Sequence, residues 1–164
     1  MTPERYEVMT APLRRHPGAV KAMIGINRGL SALCYAIYPA LLLFLLATGD
    51  GRLWRCLLVP AISFAAVSVF RKLYHAPRPY EMGIDSLMKK KRQGCSFPSR
   101  HVFSAFVIAG TWYSVWPVLG GILMLVGVAL AVIRVVGGVH YPKDVLAGAV
   151  IGLLSAWIGF SLIP

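Results

Sequence analysis

Acidic side chains are scarce in this chain: six Asp and Glu stand against 17 Lys and Arg, and charged residues of both signs make up only 14% of 164 positions. With 57% hydrophobic residues, so low a charge content excludes an ordinary soluble domain. Cysteine is sparse too. Cys34, Cys56 and Cys95 have no spacing that suits a zinc site or a disulfide framework, which leaves two small hydrophobes in apolar runs and one loop thiol. Low-complexity sequence is confined to Lys89-Lys90-Lys91-Arg92, and no internal repeat divides the chain. The first apolar run starts late and no small-residue cleavage site follows it, so a cleavable signal peptide is not expected.

What the chain does have is long apolar runs. A hydrocarbon core about 30 Å thick requires about 20 apolar residues as helix, fewer where flanking groups snorkel. Five runs approach that length, at 30–48, 53–70, 102–116, 118–133 and 145–163. They predict an all-α membrane protein with about five transmembrane helices in one domain, residues 29–164. Residues 1–28 differ in kind, because Arg5, Arg14, Arg15, Lys21 and Arg28 alternate with Met9, Leu13, Val20, Met23 and Ile24. That pattern predicts an amphipathic interfacial segment, interrupted at Pro12 and Pro17. The formal net charge of +11 has the size of a nucleic-acid footprint, yet the basic residues sit between apolar runs, where lipid head groups or an anionic substrate would meet them. No nucleic-acid partner is expected.

Three clusters at run ends carry the candidate chemistry. In the first, Arg71 and Lys72 close the second run, and Arg78 lies in a His75-Ala76-Pro77-Arg78-Pro79 stretch whose prolines forbid helix. Guanidinium groups match phosphate oxygens in bidentate geometry, although terminal Lys and Arg also serve as plain interfacial anchors. In the second, Ser99 follows Pro98 as a candidate helix N-cap, with Arg100 and His101 in the first turn, where backbone N–H groups can face an anion. His101 there is either a structural side chain or a proton donor. In the third, Arg134 ends the fourth run, Gly137-Gly138 breaks the helix, and His140 and Asp144 are four apart. A carboxylate at that spacing can orient an imidazole and leave its other nitrogen free to attack; a simple capping pair is the alternative.

Taken together, the clusters resemble the type 2 phosphatidic acid phosphatase (PAP2) superfamily of integral-membrane lipid phosphatases, which shares its site with vanadium haloperoxidases. The family motifs are Lys-x6-Arg-Pro, Pro-Ser-Gly-His and Ser-Arg-x5-His-x3-Asp. Here Arg78-Pro79 matches the first, Pro98, Ser99 and His101 the second, and Arg134, His140 and Asp144 the third, in family order. Three positions depart from the pattern. Arg71 holds the place of the first-motif lysine with Lys72 one residue nearer Arg78, Arg100 replaces the glycine, and Ile133 replaces the third-motif serine. The family usually has six spans where this chain has five apolar runs.

The resemblance implies a PAP2-like helical bundle and a two-step phosphoryl transfer without metal or cofactor. His140 would attack phosphorus to give a phosphohistidine, Asp144 would hold its tautomer, and His101 would protonate the leaving oxygen. Arg71 or Lys72, Arg78, Ser99, Arg100 and Arg134 would bind the phosphate. A prenyl phosphate or pyrophosphate of the undecaprenyl type is the first expectation for substrate, with phosphatidylglycerol phosphate and phosphatidic acid as alternatives. A non-enzymatic binder of anionic lipid would explain the basic runs but gives no task to His101, His140 and Asp144. A transporter is disfavoured because the first and last runs contain no Asp, Glu, Lys, Arg or His. The expected location is the cell membrane, with several passes. With five spans, 15 of the 17 Lys and Arg share the side of the site, against Arg52 and Arg55 opposite, which the positive-inside rule assigns to the cytoplasm. Many bacterial members of the family act on the outer face.

Overall fold

A computed structural model describes residues 1–88 and 93–162, so Lys89–Arg92 and the last residue of the fifth apolar run lie outside the described residues. Among those residues there are six α-helices: α1 (Pro3–Arg14), α2 (Pro17–Ala47), α3 (Leu53–Tyr74), α4 (Arg100–Val115), α5 (Pro117–Val136) and α6 (Pro142–Leu162). Pro3, Pro17 and Pro117 stand in the first turns of their helices, where a missing N–H costs nothing and the fixed φ is already helical. Gly138, at φ +70, sits in the turn that follows α5.

Four helices are long and apolar enough to cross a membrane: α2, α3, α5 and α6. The fifth expected span, α4, has 16 residues, about 24 Å of helix. Its position accounts for the difference. Val102, Phe103, Phe106, Ile108 and Trp112 are all buried, and α4 packs along its length on α5 and α6 and along shorter stretches on α2 and α3. Protein rather than lipid surrounds it. Close approach to α6 depends on Gly148 and Gly152, where an added Cβ would lie 2.6 Å from the Ser99 carbonyl oxygen and 2.7 Å from that of Phe103. The outward faces of the other helices stay apolar, with Leu43, Ile62, Leu125 and Trp157 exposed to what would be lipid. The bundle is an all-α membrane architecture with several passes.

The first 28 residues divide differently from the sequence pattern. Residues 17–28 are the opening turns of α2, continuous with the first apolar run, because interfacial charge does not interrupt backbone hydrogen bonding. The separate piece is α1, which buries Tyr6 and Thr10 completely. Tyr6 Oη donates to the Val136 carbonyl (2.9 Å) and accepts from the Leu87 N–H (3.2 Å), so α1 pins the end of α5 to the loop before the second cluster. Arg14 Nη1 pairs with Asp85 Oδ2 at 2.8 Å on the same loop. Pro12 lies inside α1 without ending it.

Candidate active site

Antiparallel packing brings the start of α2, the end of α3, the start of α4, the end of α5 and the start of α6 to one end of the bundle. A cavity of about 430 Å³ opens there, lined by Asn27, Arg28, Ser31, Arg71, Arg78, Arg100, His101, Arg134, Val139 and His140. It holds five guanidinium groups, both histidines of the motif clusters and no carboxylate in its lining. A larger cavity, about 750 Å³, lies across the Tyr141–Asp144 turn and offers Lys143 as its cation. Charge and the paired histidines make the smaller one the candidate for anion chemistry.

His140 is buried in the turn between α5 and α6, and its backbone N–H donates to the Arg134 carbonyl. Its Nδ1 lies 3.5 Å from Asp144 Oδ2 and 3.4 Å from Ser96 Oγ. Nε2 is on the opposite side of the ring. Burial depresses the imidazole to about 4, with the Arg78 and Arg134 charges acting in the same direction and the Asp144 hydrogen bond opposing them. The ring is therefore neutral at pH 7. Asp144 Oδ2 accepts from Ser96 Oγ at 2.5 Å and from the Tyr141 N–H at 3.0 Å. Its backbone carbonyl accepts from the Ser99 N–H at 2.8 Å, which ties the start of α6 to the start of α4.

The arginines are held by a short run of carbonyls. Gly94 and Cys95 both adopt positive φ, at 60° and 52°, and this bend lets three successive carbonyls serve two guanidinium groups. Gly94 O accepts from Arg78 Nε (2.9 Å), Cys95 O from Arg71 Nη2, and Ser96 O from Arg71 Nη1 (3.2 Å). Glu81 closes the loop by accepting from the Arg78 N–H (2.7 Å) and the Gly94 N–H (2.9 Å). Arg71, Arg78 and Arg134 are each at most 7% exposed, so their charges act at low effective dielectric.

Of the two first-cluster cations, Arg71 lines the cavity; Lys72, a helical step of about 100° further round α3, is exposed and points elsewhere. Ser99 occupies the N-cap position of α4, but among the described residues its hydroxyl makes no capping bond and has no partner, and it lies buried outside the cavity lining. Arg100 lines the cavity with its guanidinium 5.4 Å from the centre of the Phe64 ring. His101 lines it from the first turn of α4. Ser96, Asn27, Arg28 and Ser31 belong to the same site and were not expected from the motifs. Asn27 and Ser31 carried a signal, being polar positions one turn apart on an otherwise apolar helix face.

The sequence profile of the PAP2 superfamily matches residues 52–164. The chain belongs to the PAP2 superfamily. Among curated relatives, a protein of Escherichia coli (strain K12), YbjG, provisionally named an undecaprenyl-diphosphatase, is 35% identical over 104 residues, which are 60% of this chain and 52% of that one. Bacitracin transport permease protein BcrC of Bacillus licheniformis is 38% identical over 69 residues, 42% of this chain and 34% of that protein. The chain thus spans about half or less of the length of these relatives. Among solved structures, Aquifex aeolicus LpxE superposes with a TM-score of 0.74 at 25% identity, covering 96% of this chain and 93% of LpxE. A PAP2-type phosphatidylglycerolphosphate phosphatase from Bacillus subtilis superposes at 0.67 and 24% identity, over 97% and 84%, and shares the fold.

Proposed function

We propose that this protein is an integral-membrane lipid phosphatase that hydrolyses a prenyl phosphate or pyrophosphate through a phosphohistidine at His140. The observation that carries the reading is the single cavity in which His101, His140 and five guanidinium groups converge with no carboxylate in its lining. In the first step the His140 Nε2 lone pair forms the N–P bond, the bond from phosphorus to the leaving oxygen breaks, and His101 gives that oxygen its proton. Asp144 and Ser96, on the Nδ1 side, hold the tautomer and the ring. In the second step water attacks phosphorus, its proton goes to His101, the N–P bond breaks and inorganic phosphate leaves. Arg71, Arg78 and Arg134 hold the phosphoryl oxygens, where most of the catalytic stabilisation in such transfers resides. These fixed cations neutralise the phosphate without a metal ion.

The lipid part of the reading rests on an apolar groove of about 290 Å³ that begins one turn further into the bundle. Tyr35 follows Ser31 by four residues on α2, Ser104 follows Arg100 by four on α4, and Phe64 lies under Arg100. A narrow groove suits one long chain better than two. The name of the E. coli relative supports a polyprenyl pyrophosphate. The excess of basic residues at this end supports a cytoplasmic site; thiol labelling of Met82→Cys against Gly51→Cys, in a Cys95→Ser background, distinguishes the two faces.

The deciding experiment is phosphate release from farnesyl phosphate and farnesyl pyrophosphate by the detergent-purified protein in EDTA, with acid-labile, base-stable radiolabel trapped on the protein. Wild type should turn over and trap label, and His140→Ala should do neither. Turnover that requires added Mg²⁺, or label that persists in His140→Ala, overturns the mechanism.

A further inference from the structure

The residues just assigned to the transferred phosphoryl group occupy only part of the cavity. Asn27, Arg28 and Ser31, all from α2, and Arg100 from α4 are the other polar residues of its lining. Asn27 lies on the inward stripe of α2 with Met23, Cys34, Leu41 and Leu45, and is 7% exposed. A buried amide on an apolar stripe needs a reason. Asn27 Oδ1 and Ser31 Oγ have no hydrogen-bond partner among the described residues, and leaving such atoms unpaired costs free energy that a ligand in the cavity would restore. Which end of the amide faces the cavity is interchangeable, so Asn27 can donate as well as accept.

We propose that Asn27, Ser31 and Arg28, with Arg100, form a second anion subsite that takes the non-transferred phosphate of a lipid pyrophosphate. The inference rests on the phosphatase reading above and deepens it. Charge supports it: a monoester dianion brings two negative charges and an ionised pyrophosphate monoester three, and the cavity lining supplies five guanidinium groups. Order along the helices supports it as well. Along α2 the lining passes Asn27 and Ser31 and the next turn brings Tyr35 of the apolar groove; along α4 it passes Arg100 and His101 and the next turn brings Ser104 of that groove. A ligand laid along that path has a terminal phosphate, a second phosphate and a hydrocarbon chain, in that sequence. When the terminal phosphorus moves to His140, the leaving group is the lipid monophosphate, and its departing oxygen lies on the His101 side.

The test compares farnesyl pyrophosphate with farnesyl phosphate, which share one chain, in wild type, Asn27→Ala and Ser31→Ala. Each variant should lower kcat/KM for the pyrophosphate at least tenfold more than for the monophosphate. A measurement that needs no variant runs alongside: methylene diphosphonate should inhibit wild type at least tenfold more tightly than methylphosphonate. Equal losses on the two substrates, no loss on either, or equal inhibition by the two phosphonates overturns the subsite. A selective loss on phosphatidylglycerol phosphate instead would assign these groups to a glycerol head and also overturn it. Wild type that releases phosphate from farnesyl phosphate while the subsite tests fail leaves the phosphatase reading standing; wild type inactive on both substrates removes both.

Discussion

Replacing Ser96 by alanine isolates the contribution of a residue that the motifs did not point to. Its hydroxyl donates to Asp144 Oδ2 at 2.5 Å and lies 3.4 Å from His140 Nδ1, whereas the direct imidazole–carboxylate separation is 3.5 Å. Both contacts to the ring are long and the short bond is the one between serine and carboxylate, so the serine acts on the ring chiefly by holding Asp144 Oδ2 in place. A hydrogen bond to a charged group is worth about 1.5–3 kcal/mol, and Asp144 Oδ2 would keep only the Tyr141 N–H as a close donor. Expressed in the barrier, that loss is about 10- to 100-fold in phosphoenzyme formation, since about 1.4 kcal/mol is tenfold. Single-turnover trapping of radiolabel from farnesyl phosphate measures it directly, with Ser96→Thr as the variant that restores the hydroxyl. Ser96→Ala within twofold of wild type, beside an inactive Asp144→Asn, would refute the reasoning and show that the carboxylate orients the imidazole unaided.

Three further outcomes are expected. His101→Ala should cost about 10²- to 10⁴-fold with a lipid monoester, whose alkoxide needs a proton. It should cost far less in phosphoenzyme formation from p-nitrophenyl phosphate, and equal slowing of both would make His101 a binding residue. Arg71→Ala should lower turnover by an amount equivalent to about 2–4 kcal/mol, as for loss of one transition-state donor, and Lys72→Ala should change it little; the reverse order contradicts the positions of the two side chains. The imidazole of His140 falls from 6.5 to about 4 on folding, so the unfolded chain binds more protons across that window. The stability this residue contributes is present above pH 6.5 and is lost as pH falls towards 4, and thermal unfolding in detergent should be flatter over that range in His140→Gln.

The three motif clusters were legible because each is local. Arg134, His140 and Asp144 span one helix end, one turn and one helix start, and short spacings survive whatever the rest of the chain does. Ser96 was not legible, because its approach to Asp144 depends on a loop bent at Gly94 and Cys95, and no periodicity marks such a loop. Arg71 and Lys72 could not be separated by sequence because a one-residue shift in helical phase exchanges the inward and outward positions. Asn27 and Ser31 were obscured by a boundary drawn at Arg28, where charge changes and backbone helicity does not. The run at 102–116 has the composition of a span, and only packing reveals that its neighbours are other helices.

The shortness of α4 has a consequence for where the products go. α4 and α5 leave Trp116 side by side in opposite directions, with 16 and 20 residues, so α4 stops about 6 Å short of the far end of α5. His101 is thereby recessed by roughly one helical turn relative to that end of α5. Drawing a lipid out of the bilayer costs about 0.8 kcal/mol per methylene exposed, a cost that mounts quickly along a polyprenyl tail. A recessed acid lets the scission happen with the tail still dissolved in hydrocarbon. On the proposed phosphatase reading, the dephosphorylated lipid would stay in the bilayer and the phosphate would leave on the side where the arginines stand.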